Sequence, residues 1–380
     1  GRGSAPGNKE HRMPAPVGLV TAAALRGARL PPRPALASRC AGRAGKLFTQ
    51  SACTATPRVS AASATADTLT ITKPDDFHVH FRDGEGVLGS VVPHTSARFS
   101  RALVMPNLVP PVTTTTAAME YRSRIMNAVP DTSGFQPMMT LYLTDETSPD
   151  ELHKAAASGK VMAVKLYPAG ATTNSSSGVQ DVSEKNGLLQ DNLKALTELG
   201  IPLCVHGEVT DPGVDVFDRE RVFLETKLAP LLERHTGLKV VVEHATTRDA
   251  VAFVLKAGSQ VGATITPQHL LLNRNALFQG GLRPHHYCLP ILKREEHRLA
   301  LLEQVCNGNP KFFLGTDSAP HPRGAKESAC GCAGVYSAHA AVEFYATVLE
   351  DEGALDKLEG FASHHGADFY GLERNRGTLT

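Results

Sequence analysis

His78 and His80, one residue apart, end a short apolar run and are followed at once by Arg82 and Asp83. On an extended strand side chains alternate with period two, so both imidazoles point to one face. Such a pair can hold a divalent cation, or it can be two half-exposed strand residues. Further residues of metal-binding type recur at the ends of later apolar runs: His206, His244 in Val-Glu-His, and Asp317 in Gly-Thr-Asp-Ser. Imidazole nitrogens and carboxylate oxygens suit Zn²⁺ or a similar ion, and together these residues read as one metal centre. Lys165 lies inside Ala163-Val164-Lys165-Leu166-Tyr167. A lysine there either carries its head out of the strand or pairs with a carboxylate. Alternatively, burial lowers its pKa, in documented cases to about 5 to 6. A neutral amine captures CO₂, and the two oxygens of the resulting carbamate can bridge two cations. Ions about 3.5 to 4 Å apart can share a hydroxide and polarise a carbonyl, with the pKa of the water brought to about 7.

The elements that must position these residues are legible from residue 68 onward, where short β-branched apolar runs alternate with longer helical patterns. Strands are expected at Thr70 to His80, Ala102 to Pro106, Met139 to Leu143, Met162 to Tyr167, Leu203 to His206, Val240 to His244, Val261 to Ile265 and Phe312 to Thr316. Helical periodicity falls between them, at Thr116 to Val129, Pro149 to Ser158, Leu188 to Leu199, Asp218 to Glu233, Thr247 to Lys256 and Glu295 to Asn307. Two more helical segments follow the last strand, Ala338 to Glu350 and Leu358 to Phe369. This alternation predicts an α/β fold, a (β/α)8 TIM barrel of the metal-dependent type. A doubly wound open sheet is the competitor, and no G-x-G-x-x-G follows the first strand to support it. In a barrel the C-terminal strand ends meet on one face, so residues as distant as 78 and 317 converge there.

With 380 residues, 42% hydrophobic, the chain can bury a substantial core. Its formal net charge of +1 gives no basic face for nucleic acid. Residues 1–66 carry ten Lys and Arg against one acid, Glu10. That stretch, rich in Ala, Ser, Pro and Arg, has the composition of an organelle transit peptide, with a disordered or vector-derived tail as the plain alternative. No apolar run approaches the roughly 20 residues of a membrane span, so a soluble protein with no membrane partner is expected. Cys40 and Cys53 in the tail and Cys204, Cys288, Cys306, Cys330 and Cys332 in the body suit free thiols in a reducing compartment. Cys330-Gly-Cys332 lacks the spacing of a structural zinc site and is expected in a loop.

Several stretches together resemble the dihydroorotases, specifically the single-function bacterial-type class of the amidohydrolase superfamily. They are Asp76-Phe-His-Val-His-Phe-Arg-Asp-Gly84, Met105-Pro-Asn-Leu-Val-Pro-Pro-Val112, Lys165-Leu-Tyr-Pro-Ala169, Ala171-Thr-Thr-Asn-Ser175, Val205-His-Gly-Glu208, Ile265-Thr-Pro-Gln-His269 and Gly315-Thr-Asp-Ser-Ala-Pro-His321. Cys330-Gly-Cys-Ala-Gly334, preceded by Lys-Glu-Ser, adds to them. The similarity runs in order from about residue 68 to the end. It implies a cyclic amide hydrolase that interconverts N-carbamoyl-L-aspartate and L-dihydroorotate in de novo pyrimidine synthesis, with two Zn²⁺ per subunit. By the resemblance, His78, His80, carboxylated Lys165 and Asp317 hold the more buried zinc, and Lys165, His206 and His244 hold the second. Asp317 also shuttles the proton between hydroxide and ring nitrogen. Arg82 and Asn107, with His321, grip the α-carboxylate, and the main chain at Leu289 and Ala333 contacts the amide groups. A guanidinium is the natural partner of a carboxylate. Thr172 and Thr173 resemble the tip of a mobile loop that closes over the substrate. A homodimer and import into plastid or mitochondrion complete the implied picture.

Two alternatives stay open at this level. A hydantoinase would use the same metals on another amide, without need of the Arg82, Asn107 and His321 clamp. A silent barrel could serve as a scaffold, with no chemical reason to keep six ligands. His94, His153, His235, His285, His286, His297, His339, His364 and His365 are expected at the surface or in local hydrogen bonds, His269 near the mouth, and Asp83 in orienting its neighbours. The start at Gly1 and the stop at Thr380 suggest a fragment whose C-terminal packing is incomplete.

Overall fold

Eight strands lie side by side in chain order, each parallel to the next, in the computed structural model, which describes residues 68–380. The expected transit segment, residues 1–66 with Cys40 and Cys53, lies outside the described residues. The strands are β1 (Asp75–Val79), β2 (Arg101–Val104), β3 (Gln136–Leu143), β4 (Val161–Leu166), β5 (Leu203–Val205), β6 (Val240–Val242), β7 (Val261–Ile265) and β8 (Phe312–Leu314). Consecutive strands as neighbours exclude the doubly wound order.

The ring closes just beyond β8, where Asp317 N donates to His78 O at 2.8 Å and His80 N to Ser318 O at 3.0 Å. Asp76, fully buried at this seam, accepts from Thr316 N at 2.9 Å, Thr316 Oγ1 at 2.6 Å and His78 N at 3.1 Å. The result is a (β/α)8 barrel, and the seam sets the first histidine beside the aspartate 239 positions later in the chain (317 − 78).

Alternation along the strands builds the floor of the site. Phe77, Leu103, Met138, Ala163, Cys204, Val241 and Phe313 form one buried cluster, closed by Tyr370, whose ring stacks on Phe77 at 4.9 Å. Two residues further along the same face stand Lys165 after Ala163, His206 after Cys204 and Glu243 after Val241. In β1 one extra residue intervenes, with Asp76 opposite Ala102 but Val79 opposite Val104. That bulge lets Phe77 join the floor while His78 also faces inward. Gly315 is required where the chain leaves β8, because a Cβ there would sit 2.7 Å from Thr264 Cβ and 3.0 Å from that of His78.

The helical returns carry their own punctuation. Thr114, Ser148 and Thr247 accept from the backbone N–H groups of Ala117, Glu151 and Ala250, capping Thr115–Asn127, Pro149–Ala157 and Arg248–Lys256. Gly200, at φ 68°, stops Gly187–Leu199.

Three expectations change. The first strand does not run from Thr70 to His80: Pro74 has no N–H to give a ladder, and Ile71–Thr72 pairs instead with Thr378–Leu379. Asp218 to Glu233 is not one regular helix, since a π turn over Leu224–Leu228 separates Arg219–Phe223 from Ala229–Arg234. A helix over Glu85–Arg98 returns β1 to β2, its periodicity hidden by Gly86, Gly89 and Pro93.

Candidate metal centre

His78 Nε2, His80 Nε2 and Asp317 Oδ1 meet at the mouth of the barrel. The two nitrogens are 3.3 Å apart, and Asp317 Oδ1 lies 3.4 Å from His78 Nε2 and 3.1 Å from His80 Nε2. Among the described residues these form the one group of three His, Cys, Asp or Glu side chains whose ligand atoms all fall within 4.8 Å of one another. Burial holds His80 down to about 3 despite the Asp317 carboxylate beside it, so it is neutral with a lone pair to offer. Burial also opposes charge on His78, but the Glu243 carboxylate beside it, with Asp317, lifts its pKa above the ordinary value. Burial works against the Asp317 charge too, yet the imidazoles of His78 and His80 beside it hold its carboxyl well below the usual range. Lone pairs at this spacing repel unless a proton or a cation lies among them.

Lys165, His206 and His244 surround the other side. The rings of His206 and His244 are 4.8 Å apart and those of His78 and His244 5.1 Å. His206 Nε2 donates to Glu208 Oε2 at 2.8 Å, which leaves Nδ1 with its lone pair. Burial, and then His206, push His244 well below the ordinary imidazole value, so it too is neutral. Lys165 is fully buried, its Nζ 5.0 Å from the Tyr167 ring centre. Desolvation lowers its pKa from the ordinary 10.5. Neither Lys165 Nζ nor His244 Nδ1 has a hydrogen-bond partner among the described residues. Buried polar atoms left this way are uncommon and call for an explanation. Imidazoles, a carboxylate and an orphaned amine are a donor set that fits divalent cations.

Backbone strain is concentrated here. The non-glycine residues at positive φ among those described are Arg82 (62°), Asn174 (54°), His244 (41°) and Asp317 (45°). Each costs about 1–3 kcal/mol and persists only where its surroundings hold it. For His244 the strain has a geometric purpose. Glu243 faces the barrel interior, so on a regular strand the next side chain would face away.

A cavity opens on the centre and is lined by His78, His80, Arg82, Asn107, Tyr167, Thr172, Thr173, His206, His244, Leu289, Asp317, Ala319, Ala333 and Gly334. Most of the expected residues are therefore brought together. Lys165 lies beneath the lining, and His321 stands just behind it, its Nε2 3.1 Å from Arg82 Nη2 and 2.9 Å from Ala333 O. Asn107 Nδ2 donates to Thr173 O at 3.0 Å and Asn174 Nδ2 to Asn107 O at 3.1 Å, which seats the 171–178 loop on the cavity.

His269 does not line the mouth. It is buried behind it, bonded through Nδ1 to Thr266 Oγ1 and through Nε2 to Pro290 O. Asp83 orients local groups, pairing with Arg124 and accepting from Gly84 N. His235, His285, His286 and His365 bond to Gln190, Glu327, Ala276 O and Phe312 O. Sequence reasoning passed over Tyr167, Glu208, Glu243 and Thr264. Tyr167 and Glu243 had a signal, the period-two step from Lys165 and Val241, whereas Thr264 had none.

The amidohydrolase family model matches residues 74–380. A dihydroorotase of Alkalilimnicola ehrlichii is 62% identical over 312 residues, covering 82% of this chain and 90% of that protein. The mitochondrial dihydroorotase of Arabidopsis thaliana is 62% identical over 314 residues, 82% of each. Among solved structures, dihydroorotase of Saccharomyces cerevisiae in complex with 5-fluoroorotic acid superposes with a TM-score of 0.74 at 33% identity, covering 80% of this chain and 86% of that one.

Proposed function

The chain belongs to the amidohydrolase family, among the dihydroorotases, and from that premise we propose that this site interconverts N-carbamoyl-L-aspartate and L-dihydroorotate in de novo pyrimidine synthesis. One observation carries the reading. Arg82 and Asn107, groups suited to a carboxylate, line the same cavity as the His78, His80 and Asp317 cluster, suited to an amide carbonyl. The substrate carries both groups.

His78, His80 and Asp317 would hold one zinc and His206 and His244 the other, with carboxylated Lys165 shared between them. Zinc bound there would polarise the carbonyl and make water nucleophilic near neutral pH. Lys165 supports this through its buried Nζ. As a neutral amine it forms the N–C bond to CO₂ and releases a proton, which leaves the anionic carbamate.

In the hydrolytic direction Asp317 takes a proton from water and delivers it to the ring nitrogen as the C–N bond breaks. In the synthetic direction the carbamoyl nitrogen bonds to the side-chain carboxylate carbon, Asp317 passes the nitrogen's proton to the departing oxygen, and the hydroxide so released takes a second proton from solvent to become water. Arg82 and Asn107, with His321 behind them, would hold the α-carboxylate, and main-chain groups at Leu289 and Ala333 the amide edge. The loop carrying Thr172 and Thr173 would close over the open-chain substrate and exclude solvent.

A homodimer and import into mitochondrion or plastid belong to the same reading, the latter supported by the basic composition of residues 1–66 and by the mitochondrial relative. The deciding experiment is an assay of both directions with zinc and bicarbonate supplied. Turnover of both compounds with two equivalents of zinc is expected. A zinc-loaded protein that leaves both untouched, or prefers a hydantoin lacking the carboxylate, overturns the reading.

A further inference from the structure

Glu243 has no place among the residues that would hold zinc or touch substrate, yet it is fully buried beneath them. Its Oε2 accepts from His78 Nδ1 at 2.7 Å and from Thr264 Oγ1 at 2.6 Å. Thr264 Oγ1, having given its proton to that bond, accepts in turn from His244 N at 2.7 Å. A single carboxylate oxygen therefore connects a histidine of the first trio to one on the other side of the centre.

We propose that Glu243 is a positioning residue for both halves of the metal centre, fixing the tautomer of His78 directly and the backbone of His244 through Thr264. The proposal rests on the metal reading above. An imidazole that donates through Nδ1 keeps its lone pair on Nε2. In His78 that is the atom facing His80 Nε2 and Asp317 Oδ1. His244 sits at φ 41°, the conformation that turns its ring back to the mouth, and Thr264 holds the N–H of that strained residue. Thr264 has little freedom to leave, because Gly315 passes so close that even a Cβ there would meet its side chain.

The rival account makes Glu243 only a buried countercharge for the Lys165 ammonium. Two substitutions separate them. Glu243→Gln loses the charge but keeps an oxygen that accepts from both partners; Thr264→Val loses the hydroxyl but keeps the charge. The measurement is zinc retained by the holoprotein after dialysis against graded zinc buffers in bicarbonate, with melting temperatures of the chelated forms to verify folding.

Positioning predicts that Glu243→Ala weakens zinc binding about 10- to 100-fold at both sites, the range for outer partners of metal ligands. It further predicts that Glu243→Gln recovers most of that loss, and that Thr264→Val weakens one equivalent and spares the other. If Glu243→Ala does not fold, the other two variants carry the test. Glu243→Gln as poor as Glu243→Ala, or Thr264→Val indistinguishable from wild type, overturns the positioning role. Wild-type protein that takes up no zinc overturns the centre itself, and is told apart by that control.

Discussion

Arg82 Nη2 lies 3.1 Å from His321 Nε2, and the same ring nitrogen lies 2.9 Å from Ala333 O. One neutral imidazole nitrogen either donates or accepts, so it cannot serve both neighbours. Burial, reinforced by the Arg82 charge, holds His321 down to about 4, so the ring is neutral at physiological pH. With Nε2–H given to the Ala333 carbonyl, Arg82 Nη2 faces a nitrogen with nothing to accept it. The guanidinium is anchored by Nε donating to Pro320 O at 3.1 Å and keeps donors for an anion.

That arrangement sets the expected result for Arg82→Met. A hydrogen bond to a charged group contributes about 1.5–3 kcal/mol, so KM for dihydroorotate should rise roughly 10- to 150-fold, with a smaller change in kcat. Arg82→Lys should fall between, since an ammonium supplies charge without the planar fork. Steady-state kinetics at fixed zinc decide the matter. An unchanged KM in the methionine variant would mean that the cavity grips no carboxylate there.

Lys165 should be indispensable to the metals. Its Nζ is buried with no hydrogen-bond partner among the described residues, and a carbamate held by the metals would give that atom a role. Lys165→Ala should emerge from purification without bound zinc and without measurable turnover, while its far-UV circular dichroism stays that of the wild type. Short-chain carboxylic acids supplied in the assay should restore part of both. Full activity in the alanine variant would sink the bridged centre.

Asn107 exchanges hydrogen bonds with two residues of the 171–178 loop, donating to Thr173 O and accepting from Asn174 Nδ2. Asn107→Ala removes the first bond and one of the groups suited to the α-carboxylate. Hydrogen exchange over residues 171–178 should then speed up in the free protein, and KM should rise. Exchange at wild-type rates would show that the loop is held by its own turn, where Ser175 Oγ donates to Thr172 O and accepts from Thr172 N.

The barrel and the converging side chains were legible because period-two spacing and apolar runs survive without tertiary information. His78 and His80, Lys165 after Ala163 and His206 after Cys204 needed only the alternation of a strand. The break at Pro74 was also written in the sequence, as a residue with no N–H inside an apparent strand. His244 was different. It was correctly placed at a strand end, but the alternation that puts Glu243 inside would have sent it outward, and only the left-handed backbone brings it back. Thr264 could not be seen at all, because its role depends on two partners about 20 residues away that meet it only when β6 and β7 pair side by side.

Burial of Lys165 also fixes a pH dependence for the metal-free, CO₂-free protein. Desolvation lowers its folded pKa below the ordinary 10.5, so the folded state refuses a proton that the unfolded chain accepts. The sign follows. Stability is unaffected above 10.5, falls as pH drops from there toward the lowered folded value, and levels off below it, by about 1.4 kcal/mol for each unit of lowering. Lys165→Met has no such proton, so the stability difference between wild type and variant should shift in favour of wild type as pH rises from 7 toward 10. Urea unfolding of both proteins with chelator present, at intervals across that range, measures it. A difference that stays flat would mean that Lys165 is an ordinary ammonium in the fold, and the route to a neutral, carboxylatable amine would be lost.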